Sequence, residues 1–366
     1  MAKYFFIAGE ASGDLHAAEL IDQIRQCDPE ARFTGLGGDR MEAAGCLLHR
    51  HIRHMSFMGF AAVLKNMDKV RQNFLIAEDA LLQERPDTLI LIDYPSFNLR
   101  MAKFCRKHLP GTKIYYYIPP KVWAWKRRRV HAIARLCDEV FGIFPFEPAF
   151  YAQYGYRCTY VGNPTAEEIA KISNHKSQIS NSIAILPGSR ASEITNCLPR
   201  MLEAARRFPD YNRVVCAAPG IEDTFYAPYL HEGETLTRDT YGTVQQAAAA
   251  VVNSGTATLE TALLGCPQVA VYHLACSRLI GLIRPAQPLL FSIPYFTLVN
   301  IIAGREVIKE CIANEFTTDR VAAELQRLLT DEAHKKEMLA AYKHLSSVLG
   351  SSSASVTAAR LITSKK

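Results

Sequence analysis

The chain has 366 residues, 49% hydrophobic and 21% charged, with a formal net charge of +6. That length suits two domains better than one, and the composition excludes a chain disordered over most of its length. The positive balance favours anionic partners such as nucleic acid, anionic lipid or a phosphorylated substrate.

Residues 4–8 read as a short apolar strand, entered directly and with no signal-peptide pattern ahead of it. "GEASGD" (9–14) follows, then a helix with Ala17, Leu20, Ile21 and Ile24 on one face. Glu10, Ser12 and Asp14 make this turn a poor phosphate cradle. They suit hydroxyl groups or a cation, so this half is expected to hold a sugar. "GLGGDRM" (35–41) reads as a second glycine turn. Residues 56–75 place Phe57, Phe60, Ala61 and Leu64 on one helical face beside Lys65, Lys69 and Arg71. That face suits a membrane interface, and packing inside the domain is the plainer alternative. "TLILID" (88–93) is apolar almost throughout, as expected for a parallel strand covered on both sides. It ends in Asp93, a candidate general base or a cap for the next helix. "KIYYYI" (113–118) and "EVFGIF" (139–144) repeat the pattern, which implies a doubly wound α/β domain. Between them, "KVWAWKRRRV" (121–130) interleaves Trp123 and Trp125 with basic residues. Nucleic acid, an anionic headgroup and a phosphorylated acceptor all suit such a patch, as does a buried tryptophan pair beside a solvated turn.

"VGNP" (161–164) and the polar stretch to Ser182 read as a connection. Strand, glycine turn and helix then restart at 183. In "LPGSRASEI" (186–194), Gly188 lets an anion approach the backbone, Ser189 offers a helix-start N–H, and Arg190 adds a planar fork suited to phosphate oxygens; an ordinary tight turn with a solvent-exposed arginine is the plainer alternative. Pro199 predicts a helix that kinks or begins late. Strands follow at 213–218, 249–253 and 268–272. After Asn253, Ser254, Gly255 and Thr256 turn into a short helix. The two hydroxyls can cap that helix or donate to phosphate, and Glu260 lies one turn on, placed to accept from ribose hydroxyls. No uninterrupted apolar run reaches the roughly 20 residues needed to span a bilayer. The nearest, 279–302, is broken by Arg284, Pro285, Pro288 and Pro294, and reads as buried core or as a surface dipping into an interface. "NIIAGREVIKE" (300–310) places Asn300, Arg305 and Glu306 around a glycine turn, by composition another helix start. The ten cysteines are scattered with no C-x-x-C pair, which reads as reduced, mostly buried thiols of a cytosolic protein.

Two α/β halves in tandem, each opened by a strand and a glycine turn, predict two domains. These are 1–163, able to take back a C-terminal helix at about 345–366, and 164–344. In order along the chain, "AGEASGD", "MGF", "LIDYPSFN", "VWAWKRRRV", "FPFEPAFY", "VGNP", "LPGSRASEI", "SGTATLETALLGCP" and "NIIAGREVIKE" make the sequence resemble the lipid-A-disaccharide synthase family. The resemblance runs nearly end to end. It differs at Pro120-Lys121, where the family pattern leads us to expect Ser-Pro-Ser.

The resemblance implies a GT-B fold, two Rossmann-like doubly wound domains facing a central cleft. It also implies an inverting glycosyl transfer from UDP-2,3-diacylglucosamine to 2,3-diacylglucosamine 1-phosphate. By the same resemblance Asp93 is the suspected base, with Glu10 the other catalytic candidate. Gly188, Ser189, Arg190, Ser254, Gly255, Thr256, Glu260, Asn300, Arg305 and Glu306 fall on the UDP side, and Gly9, Ser12, Gly13, Trp123 and Trp125 on the acceptor side. No metal and no cofactor are expected. The expected partners are the UDP-linked acyl sugar, the acylated sugar phosphate and an anionic membrane surface, on the cytoplasmic side of the inner membrane. Nucleic acid is not expected, and self-association is left open. A non-hydrolysing UDP-sugar epimerase is the rival enzyme, although the apolar 279–302 segment and the basic tryptophan patch favour a lipid substrate. A non-catalytic basic membrane- or RNA-binding protein is a rival of another class, and would have no use for polar residues at several strand ends.

Overall fold

A computed structural model describes residues 1–55, 67–124, 127–172, 180–274 and 295–364. They fall into two compact units, Met1–Glu167 with Ser351–Lys366, and Glu168–Gly350.

Among the described residues, the first unit is built on β1 (Lys3–Ala8), β2 (Arg32–Gly37), β3 (Leu47–His51), β4 (Thr88–Ile92), β5 (Lys113–Tyr117), β6 (Glu139–Gly142) and β7 (Thr159–Tyr160). Every neighbouring pair is parallel, in the order β3-β2-β1-β4-β5-β6-β7. All five residues of β4 are buried, and all of β1 after Lys3, as in a parallel sheet covered on both faces. The helix Ala11–Cys27 turns Ala17, Leu20, Ile21 and Ile24 into the core, where each large aliphatic side chain contributes about 1.5–3 kcal/mol. Ala354, Ala358, Ala359 and Ile362 of the helix Ala354–Thr363 join the same cluster, so the end of the chain completes the core of its beginning.

The expected glycine turn at 35–41 is mostly strand. Gly35 and Gly37 lie in β2, and a Cβ on Gly35 would stand 2.2 Å from the Phe6 carbonyl oxygen of β1. Close strand approach, not a turn, therefore demands that glycine. Only Gly38 turns, into the short helix Asp39–Ala43.

The second unit, among the described residues, carries β8 (Ser180–Leu186), β9 (Asn212–Cys216), β10 (Glu234–Thr237), β11 (Ala247–Asn253), β12 (Gln268–Tyr272) and β13 (Lys309–Ile312). These too are all parallel, ordered β10-β9-β8-β11-β12-β13. The stretch read as a connection holds the helix Pro164–Lys171. The helix Ala191–Ala205 starts directly after Arg190 and runs through Pro199, which excludes a late start.

Each sheet has the Rossmann-like order in which the chain doubles back between its first and fourth strands. Loops leaving the carboxyl ends of that central pair diverge and open a binding crevice. Register sets Ala8 beside Ile92 in one sheet and Leu186 beside Val252 in the other. The loops after β1 and β4 are thus neighbours, as are those after β8 and β11. The nine described cysteines are free thiols, of which only Cys27 is exposed. No helix among the described residues is long and apolar enough to cross a membrane.

Candidate functional site

In the second unit the loops after β8 and β11 meet around a hollow of about 700 Å³. Gly188 has φ +116°, a conformation that side chains rarely adopt, and a Cβ there would meet Glu193 Oε2 at 2.6 Å and Asn253 Nδ2 at 2.7 Å. Arg190 then caps the helix Ala191–Ala205 in extended conformation. Ser254 and Gly255 lead into the helix Thr256–Leu263 from the other side. Two helix starts at the hollow bring the partial positive charge of their first turns to it. Seven residues expected here from sequence line it: Gly188, Ser189, Arg190, Ser254, Gly255, Thr256 and Glu260. The cap of the second helix is Gly255, with no side-chain cap bond, so the Ser254 and Thr256 hydroxyls are not used as caps.

Burial pushes the Glu260 carboxyl above its ordinary pKa; the Thr256 hydroxyl opposes the rise and Glu168 adds to it. Burial likewise raises Tyr241, with Glu260 and Glu168 adding. Tyr241, Glu193, Arg238 and Asp239 also line this hollow and escaped the sequence reading. They sit next to β10, "ETLT", too short and polar to announce a strand, or on a helix face that only the fold turns inward. Arg238 donates to the Ile221 carbonyl at 2.9 Å and pairs with Asp223, while Asp239 accepts from Gly242 N at 2.9 Å. Both brace the wall.

Asn300, Arg305 and Glu306 are not brought to this hollow. Residues 300–310 contain a helix end: Leu298–Ala303 stops at Gly304, φ +66°. Asn300 is fully buried. Its Nδ2 donates to the Ile308 carbonyl and to Glu310 Oε1, both at 2.9 Å, and its Oδ1 accepts from Val307 N at 2.7 Å and Ile308 N at 3.0 Å. Asn300 ties the turn together, with its polar atoms directed inward. Arg305 and Glu306 line a separate hollow of about 230 Å³, paired with Glu337 at 3.6 Å and Lys309 at 3.2 Å.

In the first unit, Gly9 and Glu10 follow β1 while Asp93 follows β4. A Cβ on Gly9 would stand 2.3 Å from the Tyr94 ring. Glu10 is exposed at the cap of the first helix, and Ser12 (exposed) and Gly13 (buried) lie in its first turn. Asp14 corrects the expectation of a ligand-facing acid. It is 4% exposed and accepts from the backbone N–H groups of Gly38, Arg40 and Met41, so it caps the helix Asp39–Ala43.

Asp93 and Tyr94 both adopt left-handed backbone, φ +42° and +45°. Tyr94, not Asp93, caps the helix Pro95–His108, which removes the capping alternative. Three contacts hold Asp93. Its N–H reaches the Ile118 carbonyl at 3.2 Å, and its carbonyl accepts the Tyr116 hydroxyl at 2.6 Å and Asn98 Nδ2 at 2.7 Å. The half-buried carboxyl is pushed up by burial, against Lys121 and the Tyr94 N–H.

Trp123, expected on the acceptor side, is core. It is 3% exposed, and its Nε1 donates to Glu147 Oε1 at 3.1 Å. Glu147 Oε2 accepts from Ile143 N at 2.8 Å and Phe144 N at 2.9 Å, and burial pushes this carboxyl up to about 7. Trp125, Phe57, Phe60, Ala61, Leu64 and Lys65 lie outside the described residues, as does most of 279–302; Lys69 and Arg71 are exposed. Among the described residues no group of three or more His, Cys, Asp or Glu is placed to hold a metal ion.

Solved structures place this architecture. The chain superposes on UDP-GlcNAc 2-epimerase from Neisseria meningitidis bound to UDP-GlcNAc with a TM-score of 0.66, at 10% identity, over 99% of both chains. It matches a calicheamicin glycosyltransferase with a TM-score of 0.61, at 13% identity, over 100% of this chain and 98% of that one. The fold is that of the GT-B glycosyltransferases and related epimerases. Sequence narrows the class: the profile of the lipid-A-disaccharide synthetase family matches residues 4–361. The lipid-A-disaccharide synthase of Trichlorobacter lovleyi is 37% identical, over 99% of this chain and 97% of the relative. That of Myxococcus xanthus is 36% identical, over 97% and 95%. The chain belongs to the lipid-A-disaccharide synthetase family and is a glycosyltransferase of lipid A biosynthesis; fold and family point to a UDP-sugar donor.

Proposed function

We propose that this glycosyltransferase moves the 2,3-diacylglucosamine unit of its UDP donor to the 6-hydroxyl of 2,3-diacylglucosamine 1-phosphate, with inversion, releasing UDP. The second unit takes the UDP. Arg190, the Gly188 and Ser189 backbone and the two helix starts neutralise the diphosphate as the bond to the sugar breaks. Glu260 accepts from the ribose hydroxyls. In the first unit Asp93 removes the proton of the attacking hydroxyl, with its basicity raised toward working pH by burial. Glu10 and Ser12 offer exposed polar atoms to the acceptor sugar. Both substrates carry acyl chains, so the enzyme works at a membrane surface. Segments 56–75 and 279–302 are the candidate contacts, and sedimentation with anionic vesicles that high salt reverses is the expected sign.

One observation carries this reading: in a chain of this family, Gly188–Arg190 and Ser254–Glu260 converge on one hollow at the β8/β11 switch. Incubation with both acylated substrates, followed by mass spectrometry, tests it. Acceptor-dependent UDP release with a tetraacyl disaccharide 1-phosphate is expected. Isomerisation of the UDP-sugar without acceptor would replace the reading with an epimerase.

A further inference from the structure

The groups assigned to the diphosphate already hold a carboxylate. Glu193 Oε2 accepts from Ser189 N at 3.0 Å, and Oε1 accepts from Arg190 Nη1 at 3.2 Å. The carboxylate lies so close to the loop that a Cβ on Gly188 would stand 2.6 Å from Oε2. The Glu193 side chain is 19% exposed and that of Arg190 61%, so the acid is sunk into the loop with the guanidinium outside it. An acid at the third position of a helix often reaches back to an N–H ahead of the first turn. Here that N–H lines the hollow, as does Glu193 itself.

We propose that Glu193 competes with the diphosphate for the Ser189 N–H and the Arg190 guanidinium, and so sets the affinity of this enzyme for donor and for UDP. The inference rests on the placement of the diphosphate given above. A diphosphate brings more charge and more acceptor oxygens than one carboxylate, and therefore wins the cradle. Each binding event must still break the Glu193 contacts and leave a carboxylate beside an anion. Donor and UDP share the diphosphate, so Glu193 weakens both by one factor. It raises the donor KM and the UDP inhibition constant together where chemistry is limiting.

Glu193→Gln keeps the length of the side chain and an acceptor for Ser189 N–H but removes the charge. Titration calorimetry should show UDP binding roughly tenfold tighter, the scale of losing one charge-assisted contact and one exposed ion pair. Uridine, which lacks the diphosphate, should bind as to the wild type. Unchanged or weaker UDP binding by a variant of normal melting temperature overturns the inference, because Glu193 would then be positioning Arg190 for the ligand. Should Glu193→Gln fail to fold, Glu193→Asp, too short to hold both partners, must also tighten UDP, and unchanged affinity there overturns the inference equally. Arg190→Ala with unaltered UDP affinity would instead remove the diphosphate from this loop, whatever Glu193→Gln does.

Discussion

Two adjacent tyrosines on β5 offer a controlled perturbation of the proposed base. Tyr116 and Tyr117 are both fully buried, and alternation along the strand points them to opposite faces. The Tyr116 hydroxyl donates to the Asp93 carbonyl at 2.6 Å, whereas the Tyr117 hydroxyl has no hydrogen-bond partner among the described residues. Changing either to Phe removes the same atom. For Tyr116 the loss is one buried hydrogen bond, but Asp93 O keeps Asn98 Nδ2, so no acceptor is orphaned and the cost is about 1 kcal/mol. For Tyr117 the change removes an unsatisfied buried group and is neutral or stabilising by about 1 kcal/mol. Urea denaturation should therefore separate the two variants by about 1–2 kcal/mol, with Tyr116→Phe the less stable and equal m-values. Turnover should separate them further. A non-glycine residue in left-handed backbone carries about 1–3 kcal/mol of strain and stays there only while its surroundings insist. Without the Tyr116 bond, Asp93 at φ +42° keeps only two of its three holds, on Asn98 Nδ2 and the Ile118 carbonyl, and is fixed less firmly in its working position. We expect kcat to fall about tenfold in Tyr116→Phe, less than the roughly 10²-fold that a full 1 Å misplacement can cost, with UDP affinity unchanged and Tyr117→Phe at wild-type rate. Equal stabilities, or equal losses of turnover in both variants, would refute the clamp.

Arg190→Ala should weaken UDP binding by about 1.5–3 kcal/mol, read by calorimetry, since it removes a charge-assisted contact to a diphosphate. Asp93→Asn should lower turnover by roughly 10²–10⁴-fold with UDP affinity nearly intact. In the wild type, activity should fall on acidification at a pH above the ordinary carboxylate range, because burial raises this group and its protonated form cannot accept a proton. Glu147 gives a stability test with a definite sign. Its carboxyl rises from an ordinary 4.5 to about 7 on folding, so the folded state is favoured below pH 4.5 and loses about 3 kcal/mol as pH rises through 7. Glu147→Gln, which does not ionise, should compare better with the wild type at pH 8 than at pH 5 in melting temperature; a pH-independent difference would place the raised pKa elsewhere.

The apolar runs that became β1, β4, β8, β11 and β12 were legible because a parallel strand buried on both faces leaves no position for a polar residue. Gly188 and the Ser254-Gly255 turn were legible for a related reason, since a chain that must turn sharply after a strand uses few residue types. Composition excluded a chain disordered over most of its length, and no uninterrupted apolar run in the sequence reaches the length needed to span a bilayer. Polar strands were hidden: β10 and β13, "ETLT" and "KECI", owe their place to neighbours in the sheet rather than to their own pattern.

What a polar side chain does was decided almost wholly by tertiary structure. Asp14, Trp123 and Asn300 each stood in a promising motif, and each is occupied by partners 24 to 27 residues away, 24 away, or across a turn. Nothing in the local pattern singles out Glu193; only the fold brings the Ser189 N–H and the Arg190 guanidinium onto its carboxylate. Periodicity records which face of an element is apolar, and so survives in the sequence. A hydrogen bond records which distant residue the fold has brought within 3 Å, and no local pattern carries that information.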